Sequence, residues 1–474
     1  MARYIDHARL PGRLLIVGFG AIGRGVLPLL LRHLDAAAEQ ILIIEPSTLN
    51  DEVAAHFGVK IHRQGLTPEN FGAVLAPLLE PGDFLLNLSV DVGSADLIDW
   101  CARRGVLYLD AAIEPWGDGH FDPRISPAQR SNYALRSQAL ALRERHPGGP
   151  TAVLTHGVNP GLVSHFLKRA LSDLALELLP GDAPPTDRLG WARLAHRLGV
   201  RAIHVAERDT QTSRRPKARG EFVNTWSVPA FAGEACQPAE LGWGSHERHW
   251  PADARRHGGG SQAAIWLERP GAATRVRSWT PLEGPYHGFL ITHSESIAIA
   301  EYLTLTEGER LLYRPTVHYV YHPCDDAVLS LLELGGRNWQ LQPRHRQLDA
   351  EQIETGMDEL GVLLLGHART ALWYGSRLTI EQARALCPFN NATSLQTAAG
   401  VLAGVAWALN HPDRGIVEPE DLDHESVLGI ARPYLGELVC VYGNWTPLQD
   451  RGQLFPEDVD PDDPWQFRNV RVSG

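Results

Sequence analysis

Gly18-Phe19-Gly20-Ala21-Ile22-Gly23 and Glu45 are the residues whose types and spacing point most directly to chemistry. The pattern is G-x-G-x-x-G, with an acid 22 residues after Gly23. It describes a phosphate-binding turn with a ribose ligand behind it. Gly18 permits the tight turn, Gly20 lets the backbone approach a pyrophosphate, and Gly23 lets helix and strand pack closely. Ala21 and Ile22 lie in the opening turn of a helix whose unpaired amides attract phosphate. Glu45 can accept hydrogen bonds from a ribose 2′-hydroxyl and would repel a 2′-phosphate, which favours NAD over NADP.

A second set combines carboxylates with one aromatic. Glu207 ends the strand-like Ala202-Ile203-His204-Val205-Ala206 run. Trp226 follows in Asn224-Thr225-Trp226-Ser227, Glu234 in Phe231-Ala232-Gly233-Glu234, Glu295 in His293-Ser294-Glu295, and Asp358 in Gly356-Met357-Asp358-Glu359. Several acids and an indole face suit an alkylammonium ligand, the ring adding a cation–π contact of about 0.5–2 kcal/mol. Taken singly, each reads as a solvated glutamate or a core tryptophan, and spacing does not bring them together. The basic loop 208–219 points the other way: it would hold a carboxylate or phosphate substrate, or it neutralises neighbouring acids. His246 and His249 lack H-E-x-x-H spacing, and no metal site is expected.

The elements that must position these groups follow a βαβ rhythm. Apolar runs at 14–17, 41–44, 84–89, 106–110 and 151–154 read as buried parallel strands. Helical segments are expected after Gly23, at 50–57, 70–79 and 94–104, with a kink at Pro28. Strand ends then place Asn87, Ser89, Asp91, Asp110 and the turn His156-Gly157-Val158-Asn159-Pro160-Gly161 at a common edge. From about residue 160 the texture changes to helices at 162–176 and 185–198, then short strands with glycine turns. A capped helix near 390–409 is expected to return to the first unit. The fold class is α/β: a Rossmann-like doubly wound parallel sheet plus a second α+β domain for substrate and dimerisation. The expected division is 1–155, completed by 385–474, for dinucleotide binding, and 156–384 for substrate binding and dimerisation.

Composition bounds the rest. The 474 residues carry a net charge of −12, which argues against nucleic acid and is compatible with a cationic substrate. The start, 1–7, lacks the apolar core of a signal peptide, and the stretch 397–409 is too short to span a bilayer. Five scattered cysteines without a C-x-x-C pair fit reduced thiols in a cytoplasm. There are only three lysines, Lys60, Lys168 and Lys217. Lys168 reads as part of an amphipathic helix and Lys217 as part of a polar loop, neither desolvated, so an enzyme-bound Schiff base has few candidates.

Over nearly its whole length the sequence resembles the bacterial homospermidine synthase family. The resemblance rests on the glycine turn through Arg24-Gly25, on Thr155-His156-Gly157-Val158-Asn159-Pro160-Gly161, and on Ala206-Glu207-Arg208-Asp209-Thr210-Gln211. It rests most specifically on Glu221-Phe222-Val223-Asn224-Thr225-Trp226-Ser227 and Gln237-Pro238-Ala239-Glu240-Leu241-Gly242-Trp243-Gly244, with Met357-Asp358-Glu359-Leu360-Gly361. The resemblance implies a cytoplasmic homodimer holding NAD, with a fold similar to saccharopine-type reductases. It implies a transferase of polyamine biosynthesis that joins two putrescines, or spermidine and putrescine, into homospermidine. Ammonia or 1,3-diaminopropane would be released. It further implies a cation–π role for Trp226, catalytic acids at Glu207 and Glu234, and Asn159 and His293 close to the nicotinamide. Glu114, Glu295, Asp358 and Asp91 would line the substrate site, and Asn87, Ser89, Thr155, Gly157 and Asn159 would join Gly18, Gly20, Ala21, Ile22, Gly23 and Glu45 around the cofactor. Two alternatives stay open: an NAD(P)H-dependent C–N dehydrogenase of the saccharopine or carboxynorspermidine type, and a non-catalytic NAD-sensing protein.

Overall fold

The computed structural model describes residues 4–117 and 119–472; the first three residues of the N-terminal stretch considered above lie outside that set. The apolar runs become a seven-stranded parallel sheet. Its elements, in chain order, are β1 (Leu14–Val17), helix α1 (Ala21–His33), β2 (Ile41–Ile44), β3 (Lys60–His62), β4 (Phe84–Asn87), β5 (Leu107–Asp110), helix α2 (Asn132–Arg145) and β6 (Ala152–Val153). Across the sheet the order is Ile416–Val417, β6, β5, β4, β1, β2, β3. All four residues of β1, β4 and β5 are buried, because helices cover both faces of a parallel sheet.

The chain then enters helix α3 (Leu162–Leu178) and a ten-stranded mixed sheet. Its long strands are β7 (Ala202–Asp209), β8 (Pro238–Gly242), β9 (Ala264–Pro270), β10 (Thr316–His322), β11 (Met357–Leu365) and β12 (Ala371–Thr379). Between the last two strands of this sheet lies helix α4 (Ala392–Asn410), and β13 (Glu437–Gly443) closes the edge. β10 and β7 are parallel, and β7–β11, β11–β12 and β12–β13 are antiparallel. Segment 385–474 is therefore shared: Ile416–Val417 extends the first sheet and β13 the second.

Helix α4 is the one described helix long and apolar enough to cross a membrane, and it lies buried inside the protein. It packs along α1 and also touches β11 and β12, so it joins the two units. Asn391 caps it, accepting from Ser394 N at 2.8 Å and donating to Thr225 O and Leu348 O. Asn390 bonds the carbonyl of Gly25 in α1, and Arg24 pairs with Asp349.

Helix α1 runs from Ala21 to His33 with Pro28 inside it. Elsewhere the structure differs from the sequence reading. The 70–79 helix shortens to Phe71–Leu75. Helix α2 carries mixed polarity and gives no clean amphipathic signal, yet its first-turn amides are fully supplied. Ser131 accepts from Ala134 N, and the buried carboxylate of Glu240 on β8 accepts from Asn132 N, Tyr133 N and Thr292 Oγ1. Further along α2, buried Arg136 sits between Glu301 and Glu418. A carboxylate reaching across 108 residues thus pins α2 to the second sheet. Glu240→Ala strands three donors and is expected to cost about 3 kcal/mol, read as a lowered midpoint in denaturant melts; a loss under about 0.5 kcal/mol would refute the pin.

Candidate functional site: an acid-lined cavity beside the glycine turn

The ends of β1, β2 and β4 open into a cavity of about 430 Å³ that runs on to the second sheet. At its first end lie Gly18, Gly20, Ala21, Ile22, Glu45, Asn87, Ser89 and Asp91. Gly18 takes φ +89° against the backbone of Leu88 and Ser89, a conformation and a closeness that exclude a side chain. A side chain at Gly20 would project into open space, so its absence leaves a cradle at the start of α1. No side chain caps that helix, and its first amides are free for an anion. Glu45 accepts from Phe19 N and Ser47 N, both at 2.8 Å, which fixes the carboxylate beside the turn. Glycine cradle, open helix start and acid together fit a dinucleotide.

The other end is lined by Glu114, Asn159, Glu207, Trp226, Glu234, His293, Tyr319, Thr393 and Thr397. No lysine or arginine is among the described lining residues. Residues spread over 283 positions of the chain, from Glu114 to Thr397, thus converge, which spacing alone could not show.

Each acid is held by neutral donors or by one histidine. Glu207 accepts at Oε2 from Tyr319 OH and from Asn159 Nδ2 at 3.1 Å. Burial pushes its carboxyl up to about 8, against the pull of Tyr319. On the same face of the sheet Asp209 lies opposite Asp358 across β7 and β11. Burial raises both, and Asp358 is driven well above the usual range with help from Glu207 and Asp209. Thr393 Oγ1, at the start of α4, donates to Asp358 Oδ2 at 2.6 Å. His293 bridges Glu234 at 3.1 Å and Glu295 at 3.2 Å. Burial works against its charge, but Glu295 and Glu234 outweigh burial and hold the imidazolium well above its ordinary range. Burial raises Glu234. Glu114 meets His120 at 3.1 Å, and Trp226 Nε1 donates to Tyr321 OH at 3.2 Å.

Five expected residues stand behind the lining. Gly23 packs against Gly18 O, Glu295 backs His293, and Asp358 backs the acid face. Thr155 N donates to Asp110 at 2.6 Å, and Gly157 closes the turn by donating to Pro160 O at 2.8 Å. Tyr319, Tyr321, Thr393, Thr397, Asp209 and His120 were absent from the expected site. Tyr319 and Tyr321 alternate as any strand aromatics do, and only Asp209 carried a signal, through its place in the quoted Glu207 motif.

The basic loop is neutralised: Arg208 pairs with Glu283, Arg214 with Glu354, Arg215 with Glu221 and Lys217 with Glu333. It contributes nothing to the cavity lining, so the carboxylate-substrate reading loses its support. The lysine expectation needs correction. Lys168 is buried, donates to Glu420 O and Leu422 O, and lies near the rings of Trp191 and Tyr302. Burial lowers it to about 8, because the helix face that carries it packs against the 419–422 turn rather than solvent. It is nevertheless structural and does not line the cavity. The Lys217 side chain is also largely covered.

Comparison with known proteins places this geometry. Residues 14–153 match the family model of the saccharopine dehydrogenase NADP binding domain, and residues 157–443 that of the saccharopine dehydrogenase C-terminal domain. The chain is 51% identical over 470 residues to a homospermidine synthase of Blastochloris viridis, covering 98% of each. It is 46% identical to that of Mesorhizobium japonicum, covering 98% of this chain and 97% of the relative. A crystal structure of the homospermidine synthase of Legionella pneumophila in complex with NAD superposes with a TM-score of 0.92 at 46% identity, covering both chains fully.

The bridging of His293 by two carboxylates predicts that its ring stays doubly protonated through neutral pH. In an NMR titration of the histidine ring nitrogens, one imidazolium should persist above pH 7 and vanish in His293→Gln; a midpoint at or below the ordinary 6.5 would contradict it.

Proposed function

The chain belongs to the homospermidine synthase family, and we propose that it joins two putrescines into homospermidine with release of ammonia, using bound NAD. Spermidine would serve as an alternative aminobutyl donor. The observation that carries this reading is a cavity with Glu114, Glu207 and Glu234 in its wall and no lysine or arginine among its described lining residues, lying beside a dinucleotide cradle. Such a wall attracts a diamine and repels the carboxylates that a saccharopine-type substrate would bring. NAD at the cradle would take up a hydride from the substrate and give it back, so net redox is zero.

The protein's own groups do the rest. A putrescine ammonium resembles that of lysine, with a pKa of about 10.4, so the attacking amine must give up a proton to a nearby base. Glu207 and Glu234 are the carboxylates in the wall whose affinity for a proton burial has raised toward that task. His293 links Glu234 to Glu295 and can pass a proton between them. The Trp226 face favours positive charge on the substrate's C=N carbon and nitrogen. Glu114, Asp91, Asp358 and Glu295 would hold or back the distal ammonium. With no lysine in the lining, both C=N bonds form between substrate atoms. The proposal includes a cytoplasmic homodimer, as the family resemblance implies.

The test is incubation with putrescine and catalytic NAD. Homospermidine and ammonia should accumulate without net formation of NADH, and deuterium beside the putrescine nitrogens should return to the product. Stoichiometric consumption of reduced cofactor, or tight NAD binding with no product, would overturn the proposal. For the aromatic face, Trp226→Phe should lower kcat roughly 2- to 5-fold and Trp226→Ala at least roughly 30-fold. Equal rates in the two variants would remove Trp226 from the mechanism.

A further inference from the structure

The two functional side chains that differ most in chemistry, Glu207 and Trp226, are held by neighbours on a single strand. Tyr319 and Tyr321 occupy alternate positions of β10, and their rings stack with centroids 5.3 Å apart at 15°. Both are buried. A buried phenol needs a partner for its hydroxyl, and neither of these spends it on the backbone. Tyr319 OH donates to Glu207 Oε2, the same oxygen that Asn159 Nδ2 reaches at 3.1 Å. Tyr321 lies directly across from Glu207 in the parallel pairing of β10 and β7, and its hydroxyl accepts from Trp226 Nε1 at 3.2 Å. Phe231 wedges the arrangement from the side, 5.5 Å from Tyr321 and 5.4 Å from Trp226.

Resting on the reading above, we infer that Tyr319 and Tyr321 are positioning residues that set the spacing between the proton-accepting carboxylate and the aromatic face. With both donors gathered on Oε2, the second oxygen of Glu207 is left for the substrate amine. The indole, tethered through its nitrogen, cannot rotate its face away from the same point. Because both tethers come from one strand, the separation of the two groups is fixed by the pleat of β10 rather than by loop geometry.

Tyr319 also biases the charge on Glu207. The groups facing this carboxylate are His293, Asp209, Asp358 and the phenols Tyr319, Tyr321 and Tyr286. Donation from Tyr319 stabilises the ionised form, so its loss raises the Glu207 pKa and the carboxylate is lost at a higher pH. Tyr321 donates nothing to Glu207 and should not move that limb.

The experiment measures putrescine affinity of the NAD-loaded protein by calorimetry between about pH 6 and about pH 9, with kcat alongside. Tyr319→Phe should shift the acid limb of binding upward by roughly one pH unit while NAD affinity is unchanged. Tyr321→Phe should leave the limb in place but lower kcat, and that loss should disappear in a Trp226→Phe background, where no indole nitrogen remains to be tethered. An unmoved limb in Tyr319→Phe, or a Tyr321→Phe loss that persists without the indole, overturns the inference. Should Tyr319→Phe fail to hold NAD, Glu207→Gln decides: it must abolish the limb, and a limb that survives assigns it to another group. A wild-type protein that binds NAD but not putrescine refutes the proposed function instead.

Discussion

A cluster of buried acids met mostly by neutral donors is the constraint around which this molecule is organised. Glu207, Asp209 and Asp358 lie on one face of the second sheet, with Glu234 and Glu295 close by around His293. Removing a carboxylate from water costs several kcal/mol unless something replaces the lost hydration. Here the replacements are mostly neutral: Thr225 and Gln211 on Asp209, Thr393 on Asp358, and Tyr319 and Asn159 on Glu207. Formal positive charge comes from His293 between Glu234 and Glu295, and from Arg208 beside Asp209. The start of helix α4 adds its partial positive end beside Asp358. The cluster therefore keeps a standing deficit that a diammonium ligand is suited to fill, and filling it stabilises the fold by mass action.

The parts legible in the sequence were those written in neighbouring residues. The glycine turn, its strand, its helix and Glu45 lie within about thirty positions, and each residue type there answers a backbone demand that any similar turn would make. The acids could be named as candidates but not assembled. The contacts that assemble them, such as Asp209 opposite Asp358 and Glu207 opposite Tyr321, depend on strand register across more than a hundred residues. Register is settled by which faces are buried in three dimensions, and no local pattern encodes it. The tyrosines of β10 were invisible for the complementary reason, since an aromatic in a strand is the ordinary way to fill a core.

Structural and chemical uses of the same residue type are also easily confused in one dimension. Glu240 belongs to one of the most distinctive motifs of the chain, yet it serves a helix terminus and not the cavity. Lys168 looked solvated by its helical context, but the 419–422 turn covers it and takes up its charge with two carbonyls. Arginines 208, 214 and 215 looked available for an anion and are consumed by glutamates. In each case the deciding fact is a partner far along the chain, which settles whether a charged group is free to meet a ligand.

Helix α4 and the strand that follows it have an architectural outcome of their own. The matches to two separate family models meet between residues 153 and 157, as though the gene were a fusion of two modules. The polypeptide does not behave as one, because Ile416–Val417 finishes the parallel sheet and α4 packs along α1. A segment ending near residue 155 would uncover the flank of α1 around Gly25, which Asn390 contacts, and leave a bare sheet edge, the surface of a sticky, half-built body. The first third therefore reaches its final packing only with residues from the last, and what two family models divide, the chain weaves together.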